Sequence, residues 1–168
     1  YRVVYGNEEE TMLIDLTYRC NMGCNHCMSD CKPNGTDMTP EILKDVLVFC
    51  KKNEVPNLIF SGGELFENPH ILELLKIIEK EWDKRFPLSF ITNGRKLADT
   101  PDIFETVQDM QKKYGKKKIM IQVTDDPRFY PQPLSEKQKY RLKKLDAVIE
   151  GVPGNGNKCL YPQGRTLE

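Results

Sequence analysis

Two hydrophobic periods take turns along this chain. Met12–Thr17 is a short apolar run that reads as a first strand, and Asn57–Ser61, Leu88–Thr92, Ile119–Val123 and Asp146–Glu150 read as the second to fifth. Helical spacing fills the gaps. Thr39 and Pro40 open a first helix as N-cap and first helical residue, with Ile42, Leu43, Val46, Leu47 and Cys50 as its inward stripe. Asn68-Pro69 caps a second helix, with Ile71, Leu72, Leu75 and Ile78 facing inward. Thr100-Pro101 begins a third that runs through Tyr114 and stops at Gly115. Ser135 and Gln138 stand at capping-box spacing before a fourth.

Strands that alternate with helices predict parallel strands joined by right-handed crossovers. The fold class is therefore α/β: a partial (β/α)5-6 TIM-like barrel, parallel strands with outer helices. A full eight-stranded barrel needs about 250 residues, and this chain has 168. Residues 1–168 read as a single domain. The chain begins without Met and ends in Leu167-Glu168, so the expectation is an excised or C-terminally truncated domain.

Composition narrows the function classes. Lys plus Arg and Asp plus Glu number 25 each, so no general attraction to nucleic acid or an acidic membrane is expected. No apolar run approaches the roughly 20 residues of a membrane-spanning helix. The opening residues do not form a signal peptide, because Tyr1–Tyr5 runs into Asn7-Glu8-Glu9-Glu10. Six cysteines, half of them in one short stretch, point to a reducing cytoplasm rather than to secreted disulfides.

That stretch carries the chemistry. Cys20, Cys24 and Cys27 are spaced C-x3-C-x2-C directly after the first strand. Thiolates at such density select zinc, Cu(I) or an iron–sulfur cluster. A closed zinc site takes four ligands, and so does an ordinary ferredoxin cluster. Three cysteines leave one iron of a cubane open for chemistry. Parallel topology also gathers the strand ends on one rim: the cysteine loop, Gly62-Gly63-Glu64, Thr92-Asn93-Gly94, Thr124-Asp125-Asp126 and Glu150-Gly151. Two adjacent glycines let backbone approach a ligand closely, and the Glu64 carboxylate is an acceptor for an ammonium group.

The cysteine spacing, Gly-Gly-Glu one βα unit later and Thr-Asn-Gly at the third strand end together resemble the radical S-adenosylmethionine (radical SAM) family. Within it the chain resembles the molybdenum-cofactor-biosynthesis-like, SPASM-type or activating-enzyme-like core domains. The resemblance implies that Cys20, Cys24 and Cys27 hold a 4Fe–4S cluster whose fourth iron binds S-adenosylmethionine. His26 takes the place of the aromatic residue that many members carry before the third cysteine. Gly62, Gly63 and Glu64 would cradle the methionine amino group; Leu65 stands where many members have Pro. Thr92 and Asn93 would face cofactor or substrate, and Thr124 keeps the hydroxyl of the Ser-x-Asp seen in relatives. The implied reaction is reductive cleavage of S-adenosylmethionine to methionine and a 5′-deoxyadenosyl radical, which takes a hydrogen atom from substrate. The implied partners are a one-electron donor of the flavodoxin or ferredoxin type and a peptide, protein or small-molecule substrate. Tyr161–Arg165 loosely resembles a Pro-x-Gly-Arg element that precedes auxiliary-cluster domains.

The remaining candidates read more plainly. Cys31 is a thiol beside the site rather than a ligand, Cys50 belongs to the core, Cys159 lies in the final loop, and His70 is structural. Phe129 and Tyr130, after the fourth strand, fall at the mouth of the site. Two other readings stand beside the enzyme: a zinc-binding structural module on Cys20, Cys24, Cys27 and Cys31, and a noncatalytic fragment of a larger radical SAM protein.

Overall fold

A computed structural model describes residues 2–5, 10–25 and 27–150. Among them β1 (Arg2–Tyr5), β2 (Glu10–Asp15), β3 (Asn57–Ser61), β4 (Leu88–Thr92), β5 (Ile119–Thr124) and β6 (Val148–Glu150) form one sheet in sequential order. The helices are α1 (Pro40–Lys52), α2 (Ile71–Glu81), α3 (Arg95–Asp99), α4 (Pro101–Tyr114) and α5 (Glu136–Lys143), with a 3₁₀ turn at Leu65–Glu67.

β2 to β6 are mutually parallel, and β1 pairs antiparallel with β2 at one edge. Sequential order with right-handed crossovers puts the helices on one face of the sheet. Five parallel strands wound in that way make an open, partial (β/α) barrel. The helix-facing side is dry: Ile14, Leu58, Phe60, Phe90, Ile121 and Val123 are buried. Phe90 packs between Phe60 and Phe66, with ring centroids 5.6 and 6.1 Å away. The opposite side stays partly open, as Ile59, Ser61, Ile91 and Thr124 are half-buried and Met120 is exposed. Helix contacts close the outer layer, α1 on α2, α2 on α4, and α3 on α4 and α5.

Local signals explain the element ends. Thr39 Oγ1 accepts the Ile42 amide at 3.4 Å and caps α1. Ser135 and Gln138 make a reciprocal capping box on α5. The C-cap of α4 is Gly115, at φ 94°.

Several expectations need correction. The first strand ends at Asp15, and Thr17 already belongs to the loop that follows. The fifth predicted strand starts at Val148, because Asp146 sits at φ 48°. Ile42 and Leu72, expected inward, are 43% and 37% exposed. α2 starts at Ile71, so its buried rows are Ile71, Leu74, Leu75 and Ile78. The N-cap of α2 is His70, without a side-chain bond, and Asn68 is used elsewhere. β1 and α3 are additions. His26, Cys159 and Tyr161–Arg165 lie outside the described residues.

Candidate functional site

The loop after β2 is clamped at its neck. Thr17 pairs with Asp37 and Arg19 with Lys32 as isolated β-bridges. The Tyr18 amide donates to the Thr36 carbonyl at 2.8 Å, and the Cys20 amide to that of Lys32 at 3.0 Å. Across the neck, Thr17 Oγ1 donates to Asp37 Oδ1 at 2.5 Å and Arg19 Nη2 to Asp37 Oδ2 at 2.8 Å. Burial pushes the Asp37 carboxyl up, but the Arg19 and Thr17 hydrogen bonds outweigh it and hold the group below its ordinary range. Buried Asn68 braces the neck from below, its Nδ2 donating to the carbonyls of Leu16 at 2.7 Å and Met38 at 3.1 Å.

The glycine pair joins this neck to β3. The Gly63 amide donates to the Thr17 carbonyl at 2.8 Å, and the Glu64 amide to the Arg19 carbonyl at 2.9 Å. A Cβ on Gly62 would stand 2.2 Å from the Thr17 oxygen, and one on Gly63 2.4 Å from the Arg19 oxygen and 3.0 Å from Cys20 Cβ. The glycines are therefore required by the chain's own backbone, which must pass this close to seat the root of the cysteine loop.

Glu64 departs from expectation in the same way. It is fully buried and is absent from the cavity wall. Oε1 accepts Thr92 Oγ1 at 2.7 Å and the Phe66 amide at 3.2 Å, and Oε2 accepts the Asn93 amide at 2.7 Å. Desolvation dominates these bonds and raises the carboxyl to about 7. The Thr92 hydroxyl also accepts the Gly94 amide at 2.9 Å, so its bonding capacity is largely used inside the protein. Asn93 is engaged too: Nδ2 donates to Asn21 Oδ1 at 3.2 Å and Oδ1 accepts the Arg95 amide at 3.1 Å.

Above this platform lies a cavity of about 240 Å³. Cys20, Cys24, Cys27 and Cys31 line it together with Ser61, Gly62, Gly63, Thr92, Asn93, Thr124 and Tyr130. The loop turns donors toward its sulfurs: the Met22 and Gly23 amides toward Cys20, and the Cys31 amide to Cys27 Sγ at 3.2 Å. Burial raises the Cys20 thiol despite those amides. It raises Cys31 further, helped by the charge and hydrogen bond of Cys27. Tyr130 is hydrogen-bonded to Thr124, and burial, then the charge of Cys24, raises its hydroxyl.

This donor set suits a polynuclear cluster. Among the described residues no three His, Cys, Asp or Glu side chains are gathered at single-ion spacing. The three cysteines of the motif share one cavity, and Cys20 and Cys27 receive backbone N–H donors, the kind of environment in which protein tunes an iron–sulfur cluster.

The structure thus brings Cys20, Cys24, Cys27, Gly62, Gly63, Thr92, Asn93 and Thr124 to one cavity and turns the Glu64 carboxylate inward beneath it. Phe129 does not line the cavity; it lies in an adjoining groove with Gly23, Asn25, Arg128 and Tyr130, of which Gly23 and Tyr130 also line the cavity. Sequence reasoning missed Asn21, Ser61, Glu67 and Asn68. Asn68, read as a cap, gave no sign that it reaches Leu16 and Met38, and Asn21 had no local pattern beyond its place beside Cys20.

Fold and site together define an open α/β barrel with three closely spaced cysteines at one cavity. The chain belongs to the radical SAM superfamily, whose model matches residues 14–121. It is 33% identical over 87 residues to YydG of Bacillus subtilis, a protein named for peptide biosynthesis, with 51% of this chain and 27% of that protein covered. AlbA of the same organism, named for biosynthesis of the antilisterial bacteriocin subtilosin, is 33% identical over 82 residues, covering 48% of this chain and 17% of AlbA. A Methanosarcina mazei protein named as a GTP 3′,8-cyclase is 33% identical over 66 residues, covering 36% of this chain and 20% of the cyclase. The aligned parts thus span about a quarter or less of these curated relatives. Streptococcus suis SuiB, crystallised with its precursor peptide SuiA, overlaps 84% of this chain and 39% of its own at 16% identity and a TM-score of 0.45. A likeness that loose adds nothing to the strand order itself. No helix among the described residues is long and apolar enough to cross a membrane.

Proposed function

We propose that this chain is the catalytic core of a radical SAM enzyme that modifies a peptide or protein. Cys20, Cys24 and Cys27 would hold a 4Fe–4S cluster, and S-adenosylmethionine would lie between that loop and the rim formed by Gly62, Gly63, Asn93 and Thr124. The chemistry these cofactors supply when bound is one-electron cleavage of S-adenosylmethionine and removal of a hydrogen atom from substrate. The observation that carries the reading is the single cavity lined by the three motif cysteines and the ends of β3, β4 and β5.

The chain's own residues divide the work. Amide donors around Cys20 and Cys27 favour thiolate ligands. Glu64 fixes β3 against β4, so Thr92 and Asn93 shape the rim through their backbone more than through their side chains. Thr124 and Tyr130 offer a linked pair of hydroxyls at the cavity wall. His26 keeps its place as a cofactor neighbour from the sequence alone. The peptide class rests on YydG and AlbA; in a longer protein, segments beyond this core would complete the substrate site and receive the electron donor.

The test is an anaerobic assay of reconstituted protein with S-adenosylmethionine and a chemical reductant. The reading expects 5′-deoxyadenosine and methionine from the wild type and none from Cys24→Ala. Equal product from both, or none from a wild type with full iron and sulfide, would reject it.

A further inference from the structure

A hydrogen-bonded chain crosses the root of the cysteine loop, and the cofactor reading assigns no role to Asn21 in its middle. The chain of bonds starts at buried Glu64, whose Oε2 fixes the Asn93 amide at 2.7 Å. Asn93 Nδ2 then donates to Asn21 Oδ1 at 3.2 Å, and Asn21 Nδ2 donates onward to Glu67 Oε1 at 2.9 Å. Asn21 is thereby held from both sides, by the end of β4 and by the 3₁₀ turn after β3. It follows Cys20 directly and precedes the two residues whose amides face the Cys20 sulfur, Met22 and Gly23. Gly23 has φ 69°, so the backbone turns sharply here. A turn pinned at Asn21 has little freedom to rotate those amides away.

We propose that Asn21 is a positioning residue for the cluster: its side chain holds the turn that aims the Met22 and Gly23 amides at the Cys20 sulfur, and so sets the cluster's reduction potential. The inference rests on the reading of Cys20 as a cluster ligand. Amide donors to a ligand sulfur stabilise negative charge on it, and the reduced cluster carries one more negative charge than the oxidised one. Well-aimed amides therefore make reduction easier, and releasing the turn makes it harder. Asn21 is itself exposed, and truncating it leaves the Asn93 Nδ2 donor at the cavity wall without its acceptor.

The experiment is a redox titration of reconstituted protein, followed by the EPR signal of the reduced cluster, with iron and sulfide measured in parallel. Asn21→Ala is expected to keep the wild-type cluster content and to titrate at a more negative potential. Asn21→Ser, which suits a turn but is too short to span Asn93 and Glu67, is expected to shift the same way. Glu67→Gln keeps an acceptor for the Asn21 amide and removes a charge, so it is expected to show no negative shift. A wild-type potential in both Asn21 variants at full cluster content would overturn the proposal, as would a negative shift in Glu67→Gln. Loss of the cluster in both Asn21 variants with wild-type circular dichroism would overturn it, since Asn21 would then retain the cluster rather than set its potential. The same loss with altered circular dichroism would overturn it by making Asn21 a folding residue. A wild type that binds no cluster would overturn the cysteine reading itself and the proposal with it.

Discussion

Thr92 Oγ1 donates a 2.7 Å hydrogen bond to Glu64 Oε1 in the fully buried floor of the cavity. The Asn93 amide occupies the other carboxylate oxygen at 2.7 Å. One side chain thus joins the Gly-Gly-Glu and Thr-Asn-Gly segments, while the two glycines join the first of these to the cysteine loop. The three motifs form one hydrogen-bonded unit before any cofactor is considered.

The carboxyl at the centre of that unit makes stability depend on pH. Burial raises Glu64 from 4.5 to about 7. Between those values the folded protein keeps a proton that the unfolded chain has released, so stability falls as pH rises. The contribution is fully present below 4.5 and lost as pH passes through about 7, a change of about 3 kcal/mol at 1.36 kcal/mol per unit. Glu64→Gln should remove this slope. Urea unfolding across that range, followed by the fluorescence of Trp82, checks it; Trp82 is the chain's one tryptophan and is 1% exposed. Parallel stability–pH curves for the two proteins would contradict the assignment.

The glycine contacts predict a separation of site from stability. Gly63→Ala drives a methyl into the Arg19 carbonyl and Cys20 Cβ, so it should displace the loop root and abolish most cluster binding. Gly115→Ala meets no atom within 4 Å, and its φ of 94° carries only backbone strain, about 1–3 kcal/mol. Iron and sulfide per folded protein should therefore fall sharply in the first variant and stay at the wild-type level in the second.

Asn68 is predicted to matter more than its place in a connecting turn indicates. Asn68→Ala strands the Met38 carbonyl, takes one of two donors from the Leu16 carbonyl, which keeps the Met38 amide at 2.9 Å, and removes the acceptor of the His70 amide, held at 2.8 Å. Each buried orphan costs about 1–3 kcal/mol, so the melting temperature should drop by several degrees. An unchanged melting temperature would show that the neck does not depend on this brace.

Tyr130 and Phe129 are neighbours in sequence with different expected effects. Tyr130 lines the cavity beside Cys24, and Phe129 does not. Tyr130→Ala should weaken S-adenosylmethionine binding to the reconstituted protein by about tenfold, or 1.4 kcal/mol. Phe129→Ala should leave it unchanged. Titration calorimetry with the cofactor separates them, and equal effects would refute the placement.

Much of this was legible in the chain because the signals were local. β3 and β4 have the predicted ends, since each apolar run meets a turn motif that breaks it. The α5 capping box was readable from Ser135 and Gln138 alone. What escaped depends on distant partners. β1 exists by pairing with β2, and Leu72 lost its inward place to Leu74 once the helix start fixed the rotation of α2. The glycines were read as room for a ligand, but the nearest claim on that space is the carbonyls of Thr17 and Arg19. Glu64 was read as a ligand acceptor, and nothing in its sequence neighbourhood announces that Thr92 and Asn93, about thirty residues on, fill its oxygens.

The most direct measurement of the central claim is low-temperature EPR of the reduced, reconstituted protein with and without S-adenosylmethionine. If the motif cysteines hold a cluster with an open iron in this cavity, a reduced 4Fe–4S signal should appear and change on addition of the cofactor. Loss of that signal in Cys20→Ala, Cys24→Ala and Cys27→Ala, but not in Cys31→Ala, should follow. A protein that binds no iron, or a cluster signal indifferent to S-adenosylmethionine, would contradict the account.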